Sequence, residues 1–133
     1  MHFYTDTLSV VRKTKGRLPS LPFEELKNTI LGKKYELSIA FIRRNESKEL
    51  NKTYRDKDYP TNILSFPISK TSGDIFINLE KVRLDAKLFE KSYDDFLLQI
   101  VIHGMVHLRG LDHGKEMDVL ENKFWKKFFT RNK

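Results

Sequence analysis

Residues 92–113 read Ser92-Tyr-Asp-Asp-Phe-Leu-Leu-Gln-Ile-Val-Ile-His-Gly-Met-Val-His-Leu-Arg-Gly-Leu-Asp-His113. Ser92, followed three residues later by Asp95, is a capping signature, and the spacing predicts a helix from about Tyr93 to Leu108. Phe96, Leu97, Ile100, Val101, Val106 and Leu108 fall on nearly all of its sides. A helix without a polar face must be covered all round, so this one is central and buried. Gly110 can supply the left-handed stop.

The flanking segments must therefore cover it. Downstream, Lys115 to Phe129 carries Met117, Leu120, Phe124, Trp125 and Phe128 as the core stripe of a last amphipathic helix. Upstream, helical patterning resumes at Leu79. Before that, Asn62 to Ile68 and Gly73 to Asn78 read as strands joined by the polar turn Ser69 to Ser72, a hairpin. Pro67 cannot donate to a ladder, which places the first of them at an edge and makes the sheet mixed or partly antiparallel. A short helix is expected from about Glu46 to Arg55. Tyr35 to Ile42 alternates Leu37, Ile39 and Phe41 with Glu36, Ser38 and Ala40, a strand pattern. Pro19 and Pro22 punctuate a loop that opens a short helix with Phe23, Leu26, Ile30 and Leu31 on one face, ended by Gly32. The expected fold is α+β: one domain over residues 1–133, with a small mixed sheet packed with helices and the histidine-bearing helix buried against it. No repeat or Gly/Ser linker divides the chain.

At 133 residues the chain is long enough to fold without a staple. It has no cysteine, which excludes a disulfide scaffold, a Cys-ligated zinc site, an iron–sulfur cluster and a thiol nucleophile. Any metal must sit on His, Asp or Glu. The apolar runs Phe96-Leu97-Leu98 and Ile100-Val101-Ile102 are far below the roughly 20 residues of a membrane span. The N-terminus shows no secretory pattern, so the expected location is cytoplasmic. Net charge is +7 and lopsided: residues 1–70 carry 14 Lys+Arg against 8 Asp+Glu, and residues 71–133 carry 11 against 10. Arg12, Lys13, Lys15 and Arg17, then Lys33 and Lys34, then Arg43 and Arg44, make the footprint expected of a nucleic-acid binder or of a solvated basic surface.

Three of the four histidines form His103-x3-His107-x5-His113. Spacing of four puts His103 and His107 on one helix face, one turn apart. The turn at Gly110 lets His113 approach the same point. Three protein ligands with one open position are the catalytic arrangement for zinc, whereas a structural site is closed by four. Two imidazoles in an apolar helix also need something to satisfy them, and a metal does so. The spacing is shared with the metzincin metallopeptidases, His-Glu-x-x-His-x-x-Gly-x-x-His, but Gly104 stands where their general-base Glu would be. Asp112 is placed to orient His113 or His107.

The run His103-Gly-x-x-His107-Leu-x-Gly110-x-Asp112-His113 resembles the signature of the YbeY family, bacterial metal-dependent endoribonucleases implicated in ribosomal RNA maturation and ribosome quality control. Leu50-Asn51-Lys52-Thr53-Tyr54-Arg55-Asp56-Lys57-Asp58-Tyr59-Pro60-Thr61-Asn62-Ile63-Leu64-Ser65-Phe66-Pro67 is similar to the family's Leu-Asn-x-x-Tyr-Arg-x-Lys-Asp-x-Pro-Thr-Asp-Val-Leu-Ser-Phe-Pro segment. Gly73-Asp74-Ile75 resembles its Gly-Asp-Ile strand. Asn62 stands where the family usually has Asp, Leu111 where it often has Tyr, and Arg109 where a second Leu is common. Gly104 is the family's own residue.

An open three-His metal beside basic surface suits attack on a phosphodiester better than on a peptide, by polarising an oxygen or lowering the pKa of water to about 7. Arg55 is the expected phosphate-holding residue, since a guanidinium can grip two oxygens at once, and the resemblance points to the same position. Lys57, Arg43 and Arg44 are candidates for a backbone track, and Tyr54, Tyr59 and Phe66 for base stacking. The expected catalytic set is thus Arg55, His103, His107 and His113, the last three holding one Zn2+ or another transition metal. The expected partners are single-stranded RNA and rRNA, with a ribosomal subunit or ribosomal proteins. A metallopeptidase-like hydrolase and a non-catalytic ribosome-assembly RNA-binding factor are the alternatives.

Overall fold

Alternating burial along short β-branched runs organises the sheet. In the computed structural model, which describes residues 2–110 and 114–132, five strands lie in the order β1-β2-β3-β5-β4. They are β1 (His2–Tyr4), β2 (Leu8–Arg12), β3 (Glu36–Phe41), β4 (Ile63–Ser69) and β5 (Ser72–Ile77). β1–β2 and β4–β5 are antiparallel, and β2–β3 and β3–β5 are parallel. The sheet is mixed, as the sequence predicts. β4 is an edge strand whose ladder shifts register between Pro67 and Ser69, where the imino acid has no N–H to give. The hairpin loop is the pair Lys70-Thr71.

The helices are α1 (Phe23–Ile30), α2 (Arg44–Arg55), α3 (Leu79–Leu88), α4 (Tyr93–Leu108) and α5 (Lys115–Asn132). One face of the sheet presents Leu8, Val10, Leu37, Ile39, Phe41, Ile75 and Ile77, all buried. Against it lie α1, through the edge-to-face pair Phe23–Phe41 with ring centroids 6.0 Å apart, and α4. α3 and α5 pack on α4, so Leu97, Val101, Met105 and Val106 are fully enclosed. Ser92 caps α4 by accepting from the Asp95 N–H at 3.1 Å. Gly110 takes φ +89°, the left-handed turn expected of it. The opposite sheet face, with Leu64, Phe66, Asp74 and Phe76, carries α2, where Tyr54 meets Phe66 with centroids 5.3 Å apart.

Three elements differ from the sequence expectation. β1 and β2 occupy residues 2–12, where the sequence reading assigns no element, because Leu8-Ser-Val-Val-Arg offers too few alternations to stand out from its flanks. α2 starts at Arg44, two residues earlier than expected; the Glu46 carboxylate accepts from the Arg43 N–H at 3.5 Å and carries the helix back to the strand end. The end of α1 is closed by an internal cation. Lys27 is fully buried, and its ammonium donates to Thr7 Oγ1 (2.7 Å) and to the carbonyls of Gly32 (3.2 Å), Lys33 (2.9 Å) and Tyr35 (3.0 Å). Burial lowers its pKa.

Candidate metal centre

α4 runs over edge strand β4 with Gly104 turned towards the sheet. A Cβ at Gly104 would stand 2.7 Å from Ile63 Cδ1 and 2.9 Å from Ser65 Oγ. With about 100° of turn per residue, His103 and His107 lie about 40° apart, on the flank of α4 next to that contact. Both are half-buried. The sequence thus places two imidazoles on one face of a rigid, enclosed helix, as expected from their spacing.

A third group comes from α5. Met117 and Phe124 are buried in the core, and Glu121 lies four residues after one and three before the other, on the margin of the same face. Its Oε1 sits 2.6 Å from His103 Nδ1, with the two side chains 22% and 33% exposed. Sequence reasoning named Asp112 as the orienting carboxylate and missed Glu121. The available signal was a carboxylate on the margin of an apolar stripe in the neighbouring helix. His113 and Asp112 lie outside the described residues, and among the described residues no group of three metal-binding side chains gathers.

Arg55 ends α2 and is exposed. The contact between Tyr54 and Phe66 puts this end of α2 on the sheet face opposite the one that Gly104 touches, so the two sequence motifs, expected to meet in space, approach edge strand β4 from opposite faces. The segment that follows is pinned. Asp56 adopts a left-handed conformation (φ 57°), and the Asp56 and Lys57 N–H groups donate to Lys52 and Asn51 carbonyls at 3.2 Å. Buried Asn51 donates through Nδ2 to Tyr59 O (2.8 Å). The buried Ser47 hydroxyl both donates to Thr61 O (2.8 Å) and accepts from Thr61 N (3.0 Å). Asn62 donates to Asp85 Oδ2 at 3.0 Å, and Lys81 holds the other oxygen of that carboxylate at 2.9 Å. The amide at position 62 thus meets a carboxylate that a second acid would repel.

Two concavities flank α4. A groove of about 760 Å³ between α4 and α5 is walled by Glu90, Asp95, Asp118 and Glu121, with Lys91 among them, over Ile102 and Trp125, a net-negative lining that disfavours a polyanion. At the C-terminal end of α4, a cleft of about 610 Å³ lies between Pro67, Ser69 and Lys70 of the hairpin and Leu108, Arg109 and Gly110, and it is cationic. On the back face, burial raises the Asp74 pKa. Part of the basic cluster at 12–17 is consumed internally: Lys13 pairs with Glu46 at 3.4 Å, and Arg17 pairs with Asp94 while lying over the Tyr93 ring at 5.2 Å. Tyr54 and Tyr59 are 67% and 52% exposed, whereas Phe66 is wedged between Tyr54 and Phe76.

The fold and the histidine pair define a mixed-sheet α+β domain built around a His-x3-His helix. Residues 11–127 match the family described as endoribonuclease YbeY, and the chain belongs to the YbeY family. It is 39% identical over 94 residues to the endoribonuclease YbeY of Colwellia psychrerythraea, an alignment covering 65% of this chain and 61% of the relative's length. It is 34% identical over 112 residues to that of Aliarcobacter butzleri, covering 80% of this chain and 79% of the relative. The solution structure of TM1509 from Thermotoga maritima superposes with a TM-score of 0.63 at 26% identity, over 93% of this chain and 90% of that one.

Proposed function

We propose that this chain is a metal-dependent endoribonuclease that cuts single-stranded RNA during ribosomal RNA maturation. His103, His107 and His113 would hold one cation, zinc first among the candidates, and Arg55 would bind phosphate. The observation that carries this reading is the pair of imidazoles one turn apart on a buried helix, one of them already oriented by a carboxylate at 2.6 Å. Neutral imidazoles suit zinc and other transition ions, and an anchored Nδ1 leaves Nε2 as the ligating nitrogen. When bound, the cation supplies a Lewis acid for a phosphodiester oxygen.

The chain's own residues do the rest. The pinned segment 56–62 holds Arg55 beside β4, where its fork can take two phosphate oxygens. Lys57 and exposed Tyr54 and Tyr59 extend the same flank with charge and ring faces. The acidic α4–α5 groove turns the polyanion away from the far side of the histidines, and Lys70 and Arg109 favour its approach at the other end of α4. No helix among the described residues is long and apolar enough to cross a membrane. A cytoplasmic protein working at the ribosomal subunit is consistent with this surface.

Metal analysis of purified protein beside His107→Ala, with cleavage of a labelled single-stranded RNA with and without chelator, tests the proposal. About one metal per chain, lost in the variant together with cleavage, is expected. Metal without cleavage would move the assignment to the RNA-binding assembly factor, and wild-type protein without metal would overturn the site.

A further inference from the structure

We propose that Glu121 is the positioning residue of this centre, on the reading that His103 is a ligand. Its carboxylate is 2.6 Å from Nδ1 of His103. A carboxylate so close is acceptor-only when ionised, so it fixes the imidazole proton on Nδ1 and leaves the Nε2 lone pair for the cation. It also stops the ring from turning about its terminal bond, which is soft in an unrestrained histidine. The contact crosses between helices: His103 stands on α4, and Glu121 is delivered by α5, whose seat is set by buried Met117, Phe124 and Phe128. The last helix, which begins just after the signature segment, thereby enters the metal site through one side chain.

His103 and Glu121 are half-buried and lie beside a groove whose charged lining, Glu90, Asp95 and Asp118 with Lys91, is net negative. Binding an imidazole N–H is a better state for this carboxylate than standing free in that field, which favours the pair in the folded protein. Carboxylates that hold ligating histidines this way are commonly worth 10- to 100-fold in metal affinity.

The test compares Zn2+ dissociation constants, by competition with a chromophoric chelator, for wild type, Glu121→Gln, Glu121→Ala and His107→Ala, together with Co2+ absorption spectra and melting of the metal-free forms. The Gln amide oxygen can still accept from Nδ1–H, so Glu121→Gln should stay within several-fold of wild type. Glu121→Ala should weaken binding by about 10- to 100-fold with an altered Co2+ spectrum. Wild-type affinity in Glu121→Ala would overturn the proposal, and so would a Gln variant as weak as the Ala variant, which would mark Glu121 as a direct ligand. If metal-free Glu121→Ala fails to fold, the Gln variant and its spectrum decide: an unchanged spectrum supports positioning, and a changed one overturns it. Undiminished metal binding in His107→Ala would instead sink the three-histidine reading, separately from the part assigned to Glu121.

Discussion

At Gly104 the missing side chain sets how near α4 can come to the sheet. A methyl there would press Ile63 Cδ1 and Ser65 Oγ at 2.7 and 2.9 Å, well inside contact distance. Overpacking costs about 1–3 kcal/mol, and alanine recovers about 1 kcal/mol of helix propensity. Gly104→Ala should therefore lose about 1 kcal/mol and melt about 4 °C lower, a difference that calorimetry would show. Gly104→Glu should cost far more, because the longer side chain must lift α4 off β4. The peptidase alternative needs a glutamate at that site, and the packing leaves no room for one. In the sequence this glycine is legible only as an absence of chemistry; its packing reason depends on which strand faces it. The same holds for Asn62, a departure from the family's usual Asp, whose partner Asp85 lies 23 residues away in α3.

Among the elements, those that read clearly are the ones whose pattern is complete within themselves. α4 has a cap, an unbroken apolar surface and a glycine stop, and its predicted bounds match those found. Pro67 announces an edge strand because a missing N–H is a local fact. β1 and β2 were not legible because a three-residue and a five-residue strand are held by pairing, β1 with β2 and β2 with β3, not by their own pattern. The partnership of α5 with His103 is hidden for a similar reason, since side-chain meetings between helices follow from crossing geometry. The loop after α2 shows what the family-like segment is for. Ser47 pairs with both the N–H and the carbonyl of Thr61, as a neighbouring strand would. Ser47→Ala removes both bonds at a cost of about 1–2 kcal/mol. The expected outcome is unchanged metal content with a raised KM for RNA, measured by cleavage kinetics, because Arg55 loses its fixed neighbour while the histidine helix is untouched. Metal lost in parallel would mean that the loop supports the cation site itself.

Over the whole molecule, charge must be counted after internal pairing. The +7 chain carries its excess in residues 1–70, yet Lys13 and Arg17 are matched by Glu46 and Asp94, and Lys27 is sealed inside. What remains around edge strand β4 is Arg55 and Lys57 at the end of α2, on the face away from the histidine helix, with Lys70 and Arg109 at the cleft by the end of α4. Each phosphate neutralised on a single strand adds about 0.7 to the slope of log affinity against log salt. Arg55→Ala and Lys57→Ala should each flatten that slope by about 0.7 in fluorescence titrations with an oligoribonucleotide. Arg17→Ala should leave it nearly unchanged, because that guanidinium is already held by Asp94 and the Tyr93 ring. The comparison also locates the strand. If Arg17 flattened the slope and Arg55 did not, RNA would run across β2 and the start of α4, away from the segment that Ser47 and Asn51 hold in place. The phosphate-binding part assigned to Arg55 would then be lost, even with the metal ligands intact.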